Sequence, residues 1–156
     1  MAGYLKAWKM MDRKIWAADS YESLPVPSAA ADAGCDLSKD KYPVLAVSLE
    51  RIMETFKRYD LLTDNLRFLR GWFRDTLPGA PVEKLALLRL DGDLYESTRA
   101  ALVNMYDKVV PGGFIIVDDY GVFAPCKKAI DEFRAERNIT AQMMPIDASS
   151  VYWRKE

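Results

Sequence analysis

Histidine does not occur among the 156 residues. That excludes a histidine general base, a Ser-His-Asp triad and imidazole metal ligands. Acid–base chemistry is left to Asp, Glu, Lys or Tyr. Cysteine is nearly as scarce. Cys35 and Cys126 stand alone, without metal-ligand spacing, and read as reduced thiols of a cytoplasmic protein. No apolar run approaches the roughly 20 residues of a membrane span, and no secretory leader is evident, so no membrane partner is expected. The net charge of −1 gives no nucleic-acid surface, and an apolar half of the chain argues against disorder. A glycine-rich strand–turn–helix is also missing, since Gly112-Gly113 precedes an apolar run instead of following one. Internal repeats and low-complexity tracts are absent.

What the chain does have is two acidic clusters. Asp91 and Asp93 stand in LRLDGDLYES, and Asp118 and Asp119 in FIIVDDYG. Each follows an apolar run that reads as a buried strand, Lys84–Leu90 and Gly113–Val117. A helix-length segment, Glu96–Val109, lies between them and is closed by Pro111-Gly112-Gly113. A strand–helix–strand unit makes the two strands parallel. Neighbouring strands are about 5 Å apart, so their carboxylates converge at the sheet end where open α/β folds place ligands. Such an oxygen-only cluster needs a compensating cation and suits a hard divalent ion such as Mg²⁺. Singly, these residues have plainer uses: Asp93 or Ser97 could cap the following helix, and Asp119 could sit in a turn.

Around this unit the pattern predicts a helix from Met1 through Asp12 and a strand at Lys14–Ala18 ending in Asp19-Ser20. The segment 24–42, with Pro25, Pro27 and Gly34, reads as a lid loop by its length without clear structure. Ser48 caps an amphipathic helix carrying Leu49, Ile52, Met53 and Phe56 on one face. Leu66–Leu69 forms a short strand leading into Gly71-Trp72-Phe73. Pro125 opens a helix to about Glu136. Gln142–Ile146 and Val151–Trp153 form a hairpin. The predicted fold is α/β and Rossmann-like: a mostly parallel sheet with helices on both faces and a C-terminal antiparallel hairpin, in a chain of one-domain length, 1–156.

The segments IWAADSYESLP, LRFLRGWFRDTLP, LLRLDGDLYESTRAALVNMY, VPGGFIIVDDYG and CKKAIDEFRAERNIT resemble the macrocin O-methyltransferase (TylF-like) family, from about Ile15 to Thr140. The resemblance implies a class I methyltransferase sheet, the cofactors S-adenosylmethionine and Mg²⁺, and a hydroxyl acceptor, a small molecule such as a glycosylated antibiotic precursor. It implies that Asp91, Asp118 and Asp119 are metal ligands and Asp93 the general base. That division has a physical reason: a cation depresses the pKa of its ligands, while a carboxylate beyond them can take a proton. It implies further that Asp19, with Ser20 beside it, meets the cofactor's ribose hydroxyls, and that Gly71, Trp72 and Phe73 line its adenine pocket. An aromatic there can stack on the base, although core packing is the commoner fate of such residues.

One departure stands out. The family carries, before the region matching MAGYLKAW, a strand and a glycine-rich turn that approach the methionine part of the cofactor. Without them the sheet lacks its first, central strand, between those ending at Asp19 and Asp91, and two edges are left open. The expectation is therefore an N-terminally truncated, partial methyltransferase domain whose open edges favour a homo-oligomer. Two other readings stand beside it: a non-catalytic remnant or assembly module, and a haloacid-dehalogenase-like phosphatase using Asp91 and Asp93. The second needs strands and a lysine motif that one intervening helix leaves no room for.

Overall fold

A computed structural model describes residues 1–156. In chain order the elements are α1 (Ala2–Ala7), β1 (Ile15–Asp19), α2 (Leu49–Arg58), β2 (Leu66–Arg70), α3 (Phe73–Thr76), β3 (Leu85–Leu90), α4 (Tyr95–Met105), β4 (Val109–Val117), α5 (Ala124–Glu136), β5 (Met144–Pro145) and β6 (Val151–Arg154). They fall into two compact units, Met1–Pro25 with Leu37–Thr76, and Val26–Asp36 with Leu77–Glu156.

In the first unit β1 and β2 pair in parallel, Ile15 opposite Leu66 through Asp19 opposite Arg70. The Asn65 side chain secures the entry to both strands by donating to Arg13 O at 2.9 Å. The helix predicted through Asp12 stops at Ala7, because Lys9 takes φ +56 and turns the chain out of the helix. The cap of α2 is as expected, with Ser48 Oγ accepting from Arg51 N at 3.3 Å. This unit's core is thin. Tyr21 and Leu66 are its buried apolar side chains, and Ile15, Trp16, Ala17 and Ala18 on β1 are all part-exposed.

The second unit holds a four-stranded sheet in the order β3-β4-β6-β5. β3 and β4 run parallel, with Leu88 opposite Ile115 and Leu90 opposite Val117. β6 returns antiparallel on β4, bringing Trp153 opposite Ile115, both fully buried. β4 begins at Val109, earlier than the predicted Gly113, so Pro111-Gly112-Gly113 lies inside the strand. Gly113 is required there: a Cβ would come within 2.7 Å of Val109 Cγ1 and 3.0 Å of Ala86 O on β3. The helix before it correspondingly ends at Met105 and tightens into a 3₁₀ turn over Tyr106–Lys108.

α4 and α5 pack together, and each buries a face spaced as a helix demands, Thr98, Ala101, Leu102 and Met105 on α4 and Cys126, Ala129, Ile130 and Phe133 on α5. Leu102, Ala129 and Ile130 are wholly excluded from solvent. Each large aliphatic side chain buried this way contributes about 1.5–3 kcal/mol. The parallel strands thus form two separate sheets, β1 with β2 and β3 with β4.

Candidate functional site

The acidic residues sit where β3 and β4 end side by side. The ladder continues one step past the strands, with Asp118 N donating to Leu90 O at 2.9 Å. Beyond it the chain turns sharply on both sides. Leu94 N donates to Gly92 O at 2.5 Å, and Asp93 adopts φ +53. On β4, Asp119 O accepts from Val122 N and Phe123 N, which starts the turn into α5. These turns gather Asp91, Asp93 and Asp119, whose carboxylate oxygens lie within 4.8 Å of one another.

Asp118 is placed differently. Arg89, on the same face of β3 as Asp91, donates from Nη1 to Asp91 Oδ2 and from Nη2 to Asp118 Oδ2, both at 2.7 Å. Asp118 also receives the Ser150 hydroxyl, at 3.1 Å on its carbonyl and 3.4 Å on Oδ1. Of the four acids marked by the sequence, Asp91, Asp93 and Asp119 converge, and Asp118 is tied to them through the guanidinium it shares with Asp91. The sequence reading overlooked Arg89, although its spacing of two from Asp91 on a strand was the available signal.

Crowding and burial govern the protonation of the group. Burial first, and then the negative charge of Asp119, Asp91 and Asp118, raises the Asp93 pKa to about 7. Asp119 is raised for the same leading reason, its burial, together with Asp91 and Asp118. Asp119 Oδ2 is buried with no hydrogen-bond partner. A buried carboxylate oxygen without a donor is costly, and a cation is one remedy.

In the first unit, Asp19 closes β1 with an exposed carboxylate. Its Oδ1 accepts from Tyr21 N at 2.6 Å, which orients the group. Ser20 is buried and spends its hydroxyl on its own turn, donating to Ser23 O at 2.6 Å and accepting from Glu22 N at 3.1 Å. Tyr21 donates its hydroxyl to Ala17 O at 2.7 Å, and burial, then Asp19, pushes its pKa up to about 12. Gly71 follows β2 at φ +136 with its amide on Asp19 O at 2.9 Å, and a Cβ would meet Thr76 Cγ2 at 2.7 Å. Trp72 and Phe73 are half-buried at the start of α3.

The segment 24–42 contains more structure than its composition suggests. Leu24 bridges Ser38, residues Ala30–Asp32 form a 3₁₀ turn, and Asp32 is fully buried. Its carboxylate accepts from Tyr95 N at 2.6 Å and Glu96 N at 3.2 Å. Neither Asp93 nor Ser97 therefore caps α4. Asp32 does, from 63 residues upstream.

A family profile described as macrocin O-methyltransferase (TylF) matches residues 1–155. The chain belongs to that family. Among curated members of similar sequence, demethyldecarbamoylnovobiocin O-methyltransferase of Streptomyces niveus is 48% identical over 99% of this chain and 60% of its own length. The 8-demethyl-8-(2,3-dimethoxy-alpha-L-rhamnosyl)-tetracenomycin-C 4'-O-methyltransferase of Streptomyces olivaceus is 46% identical over 99% of this chain and 59% of its own. Mycinamicin III 3''-O-methyltransferase of Micromonospora griseorubida is 43% identical over 98% and 61%. The chain thus spans about 60% of the length of these family members. Among solved structures, the O-methyltransferase NovP superposes with a TM-score of 0.96 at 47% identity, over 99% of this chain and 65% of NovP. The fold is that α/β methyltransferase fold. CalS11, a calicheamicin methyltransferase, shares the fold at a TM-score of 0.76 and 19% identity, over 98% and 65%.

Proposed function

We propose that this chain carries the metal-binding part of an S-adenosylmethionine-dependent O-methyltransferase, acting on a sugar hydroxyl of a natural product. The observation that carries the reading is the convergence of Asp91, Asp93 and Asp119 around the unpartnered Asp119 Oδ2 at the end of a parallel strand pair. The names of the similar enzymes support the chemistry: all three specify O-methyl transfer, and one a rhamnosyl-bearing acceptor. Membership of this family leaves the phosphatase alternative without support.

The donor set fits Mg²⁺, being all oxygen and anionic. Asp91 and Asp119 are the ligands we assign; Arg89 holds Asp91 as well as Asp118, and Asp118, outside the converging three, joins only by turning away from it. When bound, the cation lowers the pKa of a coordinated hydroxyl and S-adenosylmethionine supplies the methyl group. The chain's own contribution is proton transfer and placement. Asp93, half-buried and raised towards neutrality, accepts the hydroxyl proton on its carboxylate. Asp19 suits the ribose diol, since its carboxylate is exposed and already oriented by the Tyr21 amide. Ser20 fits less well, its hydroxyl being committed to its turn. Trp72 and Phe73 remain the candidates for adenine contact. The reduced thiols Cys35 and Cys126 suit a cytoplasmic setting.

Mn²⁺, as a spectroscopic stand-in for Mg²⁺, tests the reading directly. Electron paramagnetic resonance should show one Mn²⁺ bound per chain, lost in Asp119→Asn and weakened less in Asp118→Asn. Equal loss in both variants would refute the assigned ligand set, and no binding by the unaltered chain would refute the metal reading. Methyl transfer from labelled S-adenosylmethionine to a rhamnosylated acceptor, abolished by Asp93→Asn, tests the base. A non-catalytic module predicts Mn²⁺ binding with no measurable affinity for S-adenosylhomocysteine. That reading draws on the placement of Asp19 and the acidic group on separate sheets in separate units.

A further inference from the structure

We propose that Asp32 is a positioning residue for the acidic group: its buried carboxylate caps α4 from outside the helix and so holds the Asp91–Asp93 turn in place. This rests on the assignment of Asp91 and Asp119 as cation ligands, and adds a residue that touches neither the cation nor the substrate.

The first amides of a helix have no partner within it. At α4 the residue in the capping position is Leu94, whose side chain cannot accept a hydrogen bond and is instead buried. Asp32 supplies two of the missing acceptors, Oδ1 to Tyr95 N and Oδ2 to Glu96 N. A carboxylate with no solvent exposure is tolerable here because two N–H groups and the positive end of the helix dipole face it. A second clamp acts one turn earlier in the segment, where Ser28 Oγ donates to Glu96 Oε2 at 2.5 Å. The segment itself is stiffened by Asp32 N on Ala29 O and Cys35 N on Asp32 O. Residues 26–36 accordingly group with the strands and helices of the second unit.

The cap is close to the chemistry along the chain. Only Leu94 separates Asp93 from Tyr95, and the tight Leu94 N to Gly92 O bond closes the turn around Asp93 itself. Asp93 is held at φ +53, a conformation that a non-glycine residue keeps only where its surroundings impose it. On the other side, Tyr95 donates its hydroxyl to Glu132 on α5 at 2.7 Å, so the helix start is fixed at two points. Release of the Asp32 end would let the first turn of α4 fray and the Asp93 turn relax with it. The three carboxylates would then converge less often.

The experiment compares Asp32→Ala, Asp32→Asn and the control Phe133→Leu, which loosens a fully buried contact on α5 away from the turn. Two readouts are needed: amide hydrogen exchange over residues 91–97, and Mn²⁺ affinity by electron paramagnetic resonance. Asp32→Ala should speed exchange across the turn and weaken Mn²⁺ binding by about tenfold or more, the usual effect of losing a group that orients a ligand. Asp32→Asn, which keeps one acceptor oxygen, should fall between; if the alanine variant does not fold, this one decides. Phe133→Leu should lower the melting temperature with neither change. Unaltered exchange over 91–97 in folded Asp32 variants overturns the proposal, as does faster exchange with unaltered Mn²⁺ affinity. If the unaltered protein binds no Mn²⁺, the ligand assignment fails, and exchange over residues 91–93 alone decides whether Asp32 holds the turn.

Discussion

Asp93 is the residue whose charge state responds most to its surroundings. Its carboxyl titrates near 3.8 when free and at about 7 in the fold, because burial and the facing Asp119 disfavour the anion. Between those values the folded chain holds a proton that the unfolded chain has released. Folding stability from this group is therefore full below about pH 4 and is lost as pH rises towards 7. Without divalent cation, the melting temperature should fall over that interval, and Asp93→Asn should flatten the fall. Added Mg²⁺ should restore the loss at neutral pH, since a cation reverses the repulsion. Arg89 acts in the same sense as a cation in the site and so competes with one. It already neutralises part of the charge by pairing with Asp91 and Asp118, in a setting still open enough to solvent that the pairs are worth at most about 1 kcal/mol each. Arg89→Met should cost little metal-free stability and should tighten Mn²⁺ binding in a titration, by removing a positive charge and freeing Asp118.

At the scale of elements, the hairpin is the support behind Asp118 and Asp119. Its loop is closed by Asp147, whose Oδ1 accepts from Ser150 N at 2.7 Å and Ser149 N at 2.9 Å, bonds that hold its carboxyl below the usual range. Ser150 then reaches Asp118, and Gly121 N donates to Ser149 O at 2.7 Å. The approach at Gly121 leaves no room: a Cβ would stand 2.3 Å from Ala148 O. Gly121→Ala should destabilise by roughly 1–3 kcal/mol in urea unfolding, the cost of forcing backbone apart, and should loosen Asp119 with it. On α5, Ile130→Ala should cost about 2–5 kcal/mol by leaving a cavity where a fully buried side chain stood, read by the same measurement. Both α5, with its Pro125 start, and α2, with its Ser48 cap, were legible in the sequence, because capping and amphipathic spacing are local signals. The start of α4 was not, since its cap comes from Asp32, far away in the chain.

For the whole molecule, the two units differ in how much apolar surface they bury. The second encloses Leu94, Leu102, Ile115, Ile130, Phe133 and Trp153 almost completely, while β1 keeps its apolar residues part-exposed. Local opening should follow that difference. Native-state hydrogen exchange should show β1 and β2 amides exchanging faster than those of β4; equal protection would show that the units unfold together.

Read alone, the sequence determined the chemistry that is available: no imidazole, two lone thiols, and four aspartates following two strands of one parallel unit. Those conclusions follow from residue type and from periodicities of two and 3.6, which depend only on near neighbours in the chain. Tertiary structure alone decided how the aspartates divide. Register and side-chain direction bring Asp91, Asp93 and Asp119 together and turn Asp118 to Arg89. Distance in the chain hid Asp32, whose carboxylate meets α4 only once the fold has closed.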